Sequence, residues 1–287
     1  MKLRVAAVQM RFSSTIGGNL AKIGAALAKA SRRRVHAVLF PECAVTGYSY
    51  DFRSLRPAEV RESLAIVAGL AREHGTNVLV GSPVFAGRRL YNGLVVFDRA
   101  GRPVHCYAKC HLTPDDRKFF APGDAVALFE IDGVPATAII CHERRYPELP
   151  RLGVMAGARI VFHPNAGLDP PAVSREKRGG RDGMDARAFE NDVYYVFANS
   201  VGPQGGGKWS AGDSKIVGPD RRRLALADNA RESVIVAELD LSRAGGKYAR
   251  QGLNHPRFLS RHWKDMLVEV RRRAGDSVRR FGLDRLP

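Results

Sequence analysis

Two tight-turn signals constrain this chain more than anything else in its sequence. Ala100-Gly101 lies between the strand-like runs Leu90–Asp98 and Pro103–Lys109, and Asp132-Gly133 lies between Leu128–Ile131 and Val134–Cys141. Residues that tolerate positive φ, set between two apolar runs, specify antiparallel hairpins. Elsewhere the chain alternates strand with helix. Strands are read at Leu3–Val8, Ala37–Phe40, Asn77–Val80, Arg159–His163 and Val193–Asn199, with two more, Ser214–Val217 and Ser233–Leu239, around the turn Gly218-Pro219-Asp220. Such hairpins do not fit a wholly parallel, doubly wound sheet, so the expected class is α/β with mixed sheets faced by helices.

The helices are legible from their apolar stripes. Asn19 is placed to N-cap a helix whose Leu20, Ile23, Leu27 and Ala30 share one face. A second has Pro57 in its first turn, Val60, Leu64, Val67 and Ala71 on one stripe, and Gly75 as C-cap. Others are expected near Glu148–Ala156 and Met184–Asn191. A last amphipathic helix spans Phe258–Arg273, with Leu259, Trp263, Met266, Leu267 and Val270 on its apolar side. There is no internal repeat and no linker rich enough to split the chain. The division expected is a main body, 1–240, and a C-terminal extension of the same domain, 241–287, whose helix is a candidate contact between copies.

Composition then removes whole classes of function. With 45% hydrophobic residues, the 287-residue chain can bury a sizeable core, which excludes a disordered protein. The 46 Lys+Arg against 29 Asp+Glu give +17, which invites a nucleic-acid reading. The excess is mostly arginine scattered along the chain, its densest runs being the triplets Arg32–Arg34, Arg221–Arg223 and Arg271–Arg273. With no basic tail, a solvated basic face is the simpler account. No run of 18 apolar residues suggests a membrane span, and the opening MKLRVAAVQMRF starts a strand rather than a leader peptide. Four cysteines in a long chain without a leader point to free thiols and a cytoplasmic setting.

The chemistry-bearing residues stand at the ends of strands. Glu42 follows Ala37–Phe40 and Pro41, Lys109 closes Val104–Lys109, and Cys141 closes the apolar run Ala136–Ile140 before a turn. A thiol there sits much as in a nucleophile elbow. Taken singly, each has a plain structural reading: a buried cysteine, a snorkelling lysine, a solvated carboxylate. Together the three have complementary tasks. A carboxylate can take the thiol's proton, the thiolate is a nucleophile, and an ammonium can bind the oxyanion formed at a carbonyl carbon. That chemistry needs no metal and no cofactor.

In sequence these segments resemble the nitrilase superfamily of carbon–nitrogen hydrolases, and their nucleophile turn is similar to that of N-carbamoyl-amino-acid hydrolases and related amidases. The matching runs are Phe40-Pro41-Glu42-Cys43-Ala44-Val45-Thr46-Gly47-Tyr48, then Tyr107-Ala108-Lys109-Cys110-His111-Leu112 followed by Phe120-Ala121-Pro122-Gly123-Asp124, and Ile140-Cys141-His142-Glu143-Arg144-Arg145-Tyr146-Pro147-Glu148. Smaller agreements fall on Val8-Gln9, Gly81-Ser82-Pro83, Tyr91-Asn92, Gly157-Ala158, Arg187–Asn191 and Asn199, so the likeness runs from about Val5 to about Leu239. The resemblance implies a four-layer α-β-β-α sandwich of two mixed sheets, assembly into homodimers or larger homo-oligomers, and a catalytic Glu42, Lys109 and Cys141. It further implies hydrolysis of a non-peptide C–N bond in a small amide or N-carbamoyl substrate, through a thioester on Cys141.

Four further expectations follow from it. Where many relatives carry a second active-site glutamate, this chain has Asp116, one methylene shorter. The backbone N–H of His142 is the expected second oxyanion donor. Arg144 and Arg145 are candidates for gripping a substrate carboxylate, with Arg145 alternatively paired to Glu148. The loop Ala166–Gly183 is expected to shape the pocket. An ω-amide or aliphatic amide is the alternative substrate. A nitrile fits less well, since nitrilases usually carry Trp where His142 stands. Two readings lie outside this class: a basic nucleic-acid binder, and a metal site on His105-Cys106-Tyr107-Ala108-Lys109-Cys110-His111. Strand alternation sets Cys106 and Cys110 on one face about 13 Å apart, with the histidines on the other, which does not suit one metal ion.

Overall fold

The computed structural model describes residues 1–48, 51–176 and 183–286. Its main strands form two six-stranded sheets. In the first, β1 (Lys2–Gln9), β2 (Ala37–Leu39) and β3 (Asn77–Ala86) run parallel, and β4 (Arg89–Phe97) and β5 (Pro103–Ala108) extend it antiparallel. The second begins with the hairpin β6 (Phe129–Ile131) and β7 (Val134–Ala138), then adds β8 (Ile160–Asn165) and β9 (Tyr194–Asn199) in parallel. A small separate hairpin, β10 (Val201–Gly205) with β11 (Lys208–Ala211), follows. The chain then adds β12 (Lys215–Val217) and β13 (Arg223–Leu226) antiparallel beyond β9, and returns as β14 (Ser233–Asp240) against β1.

The helices are α1 (Ile16–Ser31), α2 (Pro57–His74), α3 (Glu148–Met155), α4 (Pro171–Glu176), α5 (Met184–Asn191), α6 (Lys247–Gln251), α7 (Arg257–Ala274) and α8 (Ser277–Arg280). Strand alternation sorts the apolar residues into three cores. Leu3, Val5 and Ala7 of β1 meet Ile160 and Phe162 of β8 in a core between the two sheets. Val8 of β1 faces the other way, against the α1 and α2 stripes. Val161 of β8 likewise packs outward with Leu152 of α3 and Ala188 of α5. The result is the α-β-β-α sandwich, with both expected hairpins in place. Each fully buried large aliphatic or aromatic side chain in these layers contributes about 1.5–3 kcal/mol.

Several local expectations hold for identifiable reasons. Asp132 and Gly133 take φ of 50° and 77°, as a two-residue hairpin turn requires. Gly75 takes φ of 57° and returns its N–H to the last turn of α2. Others need correction. The cap of α1 is Thr15, whose hydroxyl accepts from Gly18 N–H. Asn19 is buried inside the helix, where its side chain accepts from Ser13 N–H and donates to Ser13 O. The turn Gly218-Pro219-Asp220 leads into β13, which was not foreseen, while Ser233–Asp240 pairs with β1 across the molecule. β3 also runs on through Pro83; β2 ends opposite Leu79, so beyond it that edge has no partner strand. The pleat breaks after Ala108, which sends Cys106 to the outer core and Cys110 to the inner one, rather than to one shared face.

The C-terminal segment binds both outer faces. Leu267 and Val270 of α7 are buried against the second sheet's helices, and Phe281 and Leu283 beyond α8 are buried on the first sheet's side. Met266, expected on the buried stripe, is exposed, as are Phe258 and Val268. Among the described residues no helix is long and apolar enough to cross a membrane.

Candidate active site

The two sheets bring the ends of β2, β5, β7, β8 and β9 to one side of the sandwich. Glu42 lies in the tight turn that follows β2, where Phe40 N–H donates to Leu79 O and Val45 N–H to Gly81 O. This turn lies so close to β3 that a Cβ at Gly81 would collide with Pro41 O and Cys43 N. The Glu42 carboxylate is buried and its two oxygens are served unequally. Oε1 accepts from Lys109 Nζ at 2.7 Å and from Asn92 Nδ2 at 2.8 Å; Oε2 accepts from Ala166 N–H at 3.1 Å.

Lys109, just past β5, is 1% exposed and lies between two carboxylates. Its ammonium is 2.7 Å from Glu42 Oε1 and 2.7 Å from Asp116 Oδ2. The shorter Asp116 side chain therefore reaches the lysine. Its loop is pulled in by two further bonds, Thr113 N–H to Asp116 Oδ2 and Asp116 N–H to Thr113 Oγ1, each 3.1 Å. Burial alone would lower the Lys109 pKa, but Glu42, Cys141 and Asp116 outweigh it and hold the ammonium well above its usual value.

Cys141 opens a short 3₁₀ turn, Cys141–Arg145, with φ of 50°, the left-handed conformation of a nucleophile elbow. Its Sγ is 4.0 Å from Ala166 O, so Cys141 and Glu42 abut the same residue from opposite ends of its backbone. Burial, and next the Glu42 carboxylate, push the thiol up to about 12 against a downward pull from Lys109. The resting group is a thiol. Glu143, two residues on, is fully buried and ties the elbow to the lysine loop. It accepts from Ile140, Cys110 and His111 N–H at 2.7, 2.6 and 3.1 Å, and from Tyr107 OH at 2.9 Å.

These groups open onto one cavity of about 740 Å³. Every residue singled out from sequence lines it: Glu42, Lys109, Asp116, Cys141, His142, Arg144 and Arg145. Arg144 is half-buried with no ion pair among the described residues, whereas Arg145 is exposed and is not paired with Glu148. The Arg187 guanidinium donates to Arg144 O, which fixes the turn carrying both. One wall is aromatic, with Phe52 edge-on to Tyr48 and Phe119. Of the loop Ala166–Gly183, Ala166 to Asp169 line the cavity, and 177–182 lie outside the described residues. The His105–His111 run does not converge on a point: His105 stacks on Phe129, while His111 stacks on Tyr146.

Sequence reasoning left three participants without a role. In sequence Asn92 is no more than part of the pair Tyr91-Asn92, yet in the fold its side chain donates to Glu42 Oε1. Glu143 lies inside the nucleophile motif between His142 and Arg144, a charged stretch that reads as solvated, so its burial is visible only in the fold. Asn165 donates to Asn199 Oδ1 at 2.8 Å and both shape the far wall, an arrangement that depends on the β8–β9 register.

Comparison with known proteins agrees with this geometry. The sequence model of one family, carbon-nitrogen hydrolase, matches residues 4–247. A nitrilase of Pyrococcus abyssi is 31% identical over 78% of this chain and 84% of its own. The 2-oxoglutaramate amidase of Bacillus subtilis is 29% identical over 73% of this chain and 80% of its own. Among solved structures, a mutant of the amidase from Nesterenkonia sp. AN1 in complex with acrylamide superposes with a TM-score of 0.78, covering 91% of this chain and 97% of that one at 23% identity.

Proposed function

The chain belongs to the carbon-nitrogen hydrolase family of cysteine-dependent hydrolases, and on that premise we propose that Cys141, Glu42 and Lys109 cleave the C–N bond of a small amide or N-carbamoyl acid. The observation that carries this reading is the buried cluster in which Lys109 bridges Glu42 and Asp116 beside the cavity that Cys141 enters. Glu42 takes the thiol proton on Oε2, its less occupied oxygen, as the sulfur attacks the carbonyl carbon. The carbonyl π pair becomes an oxyanion, held by the Lys109 ammonium and the His142 N–H. That N–H has no hydrogen-bond partner among the described residues. Collapse of the tetrahedral species breaks the C–N bond, and the Glu42 proton leaves with the amine or ammonia. A thioester remains on Cys141. Glu42 then deprotonates water, which attacks the thioester, and the proton returns to the sulfur as the acid departs.

A thiol held at about pKa 12 makes this coupling necessary, because few thiolates exist before substrate arrives. Asp116 acts on Lys109, whose ammonium it keeps aimed between itself and Glu42. Arg144, at the cavity wall and without an ion pair among the described residues, is the better placed of the two arginines to grip a substrate carboxylate. A second reading has support of its own: Asp115, Asp169 and Asp213 also line the cavity, which favours an uncharged aliphatic amide over a carboxylate-bearing carbamoyl acid.

A hydrolysis screen over carbamoyl-amino acids, ω-amides and simple amides, read by ammonia release, tests the assignment. Faster turnover of uncharged amides than of carbamoyl acids would remove the role given to Arg144. Cys141→Ala should remain folded without turnover, and hydrolysis by it at the wild-type rate would sink the mechanism.

A further inference from the structure

His163 and Tyr195 are fully buried polar side chains beside the nucleophile that the proposed chemistry leaves unused. They stand on the adjacent parallel strands β8 and β9. His163 Nε2 lies 3.1 Å from the carbonyl oxygen of Cys141, and His163 Nδ1 lies 2.8 Å from the Tyr195 hydroxyl. Elementary chemistry fixes the direction of this chain of bonds. A carbonyl only accepts, so Nε2 carries the hydrogen. Burial, and next the nearby Arg144 and Lys109 cations, hold the His163 pKa well below its usual value, so the ring is neutral. Nδ1 is then bare, and Tyr195 O–H donates to it.

The carbonyl so engaged belongs to the Cys141–His142 peptide. In a planar trans peptide the C=O and N–H point in opposite directions. Pinning the oxygen toward β8 therefore turns the His142 N–H away from the strand, on the side where His142 lines the cavity. A hydrogen bond received by the carbonyl also withdraws electron density from the nitrogen and strengthens the N–H as a donor. The anchor acts at a place that needs one, since Cys141 holds a φ of 50°, costly for a residue with a Cβ.

We propose that Tyr195 and His163 form a positioning relay that aims and polarises the His142 N–H as an oxyanion donor. Neither side chain is required to touch the substrate. The proposal rests on the reading of Cys141 as the nucleophile of C–N bond hydrolysis.

The test uses Tyr195→Phe, His163→Gln and His163→Leu in the full chain. Glutamine sets an amide N–H near the position of Nε2 and can keep the bond to Cys141 O; leucine cannot. Each variant is read by kcat, KM, thermal unfolding, and the rate of Cys141 alkylation by iodoacetamide, a displacement at carbon that forms no oxyanion. His163→Leu should lower kcat about 10²-fold, the usual effect of losing an oxyanion donor. Tyr195→Phe should lower it about 3–10-fold, and His163→Gln should recover most of the loss, with KM and alkylation changed less than about twofold. The proposal is overturned if His163→Leu keeps kcat within about twofold of wild type, or if alkylation falls in proportion to kcat, which would mean the elbow itself had collapsed. Tyr195→Phe removes one hydroxyl and carries the test alone should His163→Leu unfold. A wild-type chain that hydrolyses none of the screened substrates contradicts the proposed function instead, and is recognised before any variant is made.

Discussion

Glu42 and Glu143 are both buried carboxylates, and they lie on either side of the loop that carries Lys109, yet their surroundings differ in kind. Glu42 faces an ammonium on one oxygen and a single backbone N–H on the other. Among the described residues Glu143 has no ammonium or guanidinium in hydrogen-bond range; three backbone N–H groups and a tyrosine hydroxyl fill both its oxygens. Burial raises the Glu143 pKa and those donors pull it back. A carboxylate saturated by fixed donors can only hold structure together. A carboxylate with an open lone pair beside a thiol can accept a proton and give it back.

The largest expected effect falls on the open carboxylate. Glu42→Gln removes the proposed base and should cut turnover by about 10³-fold or more, with little loss of stability, because Lys109 keeps Asp116 as partner. A variant that still turns over within about tenfold of wild type would move the base elsewhere. Glu143→Gln should show the opposite pattern. Its amide hydrogens would face backbone N–H groups, and leaving those unpaired should cost about 2–4 kcal/mol in denaturant unfolding, with turnover falling only through the displaced elbow. Unchanged stability would remove its structural role.

Lys109→Met sharpens the contrast from the cation's side. It strands two carboxylates in a dry cluster, and should cost about 3–5 kcal/mol as well as turnover. Arg144→Ala is a smaller and more selective change: KM for carboxylate-bearing substrates should rise about 10-fold while uncharged amides are unaffected. Arg145→Ala, at an exposed position, should change either by less than about twofold. The mildest prediction concerns pH. Since the Cys141 thiol is pushed up to about 12, its thiolate fraction grows as pH rises. Iodoacetamide alkylation of the free enzyme should climb about tenfold per pH unit between about pH 7 and about pH 10, with no plateau. A plateau near neutrality would reveal a preformed thiolate and make the Glu42 step redundant.

Much of this was legible in the sequence because it is local. Hairpin turns, apolar stripes and strand ends all act within a few residues, and the three motifs at those ends pointed to Glu42, Lys109 and Cys141. The structure brings them to one cavity. What was missed is what depends on partners distant in the chain. β13 carries a weak apolar pattern and forms because β12 is already paired with β9. Asn92 meets Glu42 across 50 residues, and His163 meets Cys141 only through the β7–β8 pairing. Of the arginines behind the scattered +17, some pair with acids on the surface, as in Arg99–Asp132, Arg223–Asp185 and Arg272–Glu269.

In the proposed mechanism Cys141 carries the acyl group while Glu42 moves the proton. An aryl ester of the preferred acid has a leaving group good enough to make deacylation the slow step, so the acyl-enzyme should accumulate. The measurement is rapid mixing with that ester, followed by acid quench and mass analysis of the chain. A burst of one aryl product per chain is expected, with a mass gain equal to the acyl group on the peptide that contains Cys141. Steady hydrolysis with no burst and an unmodified Cys141 peptide would contradict it.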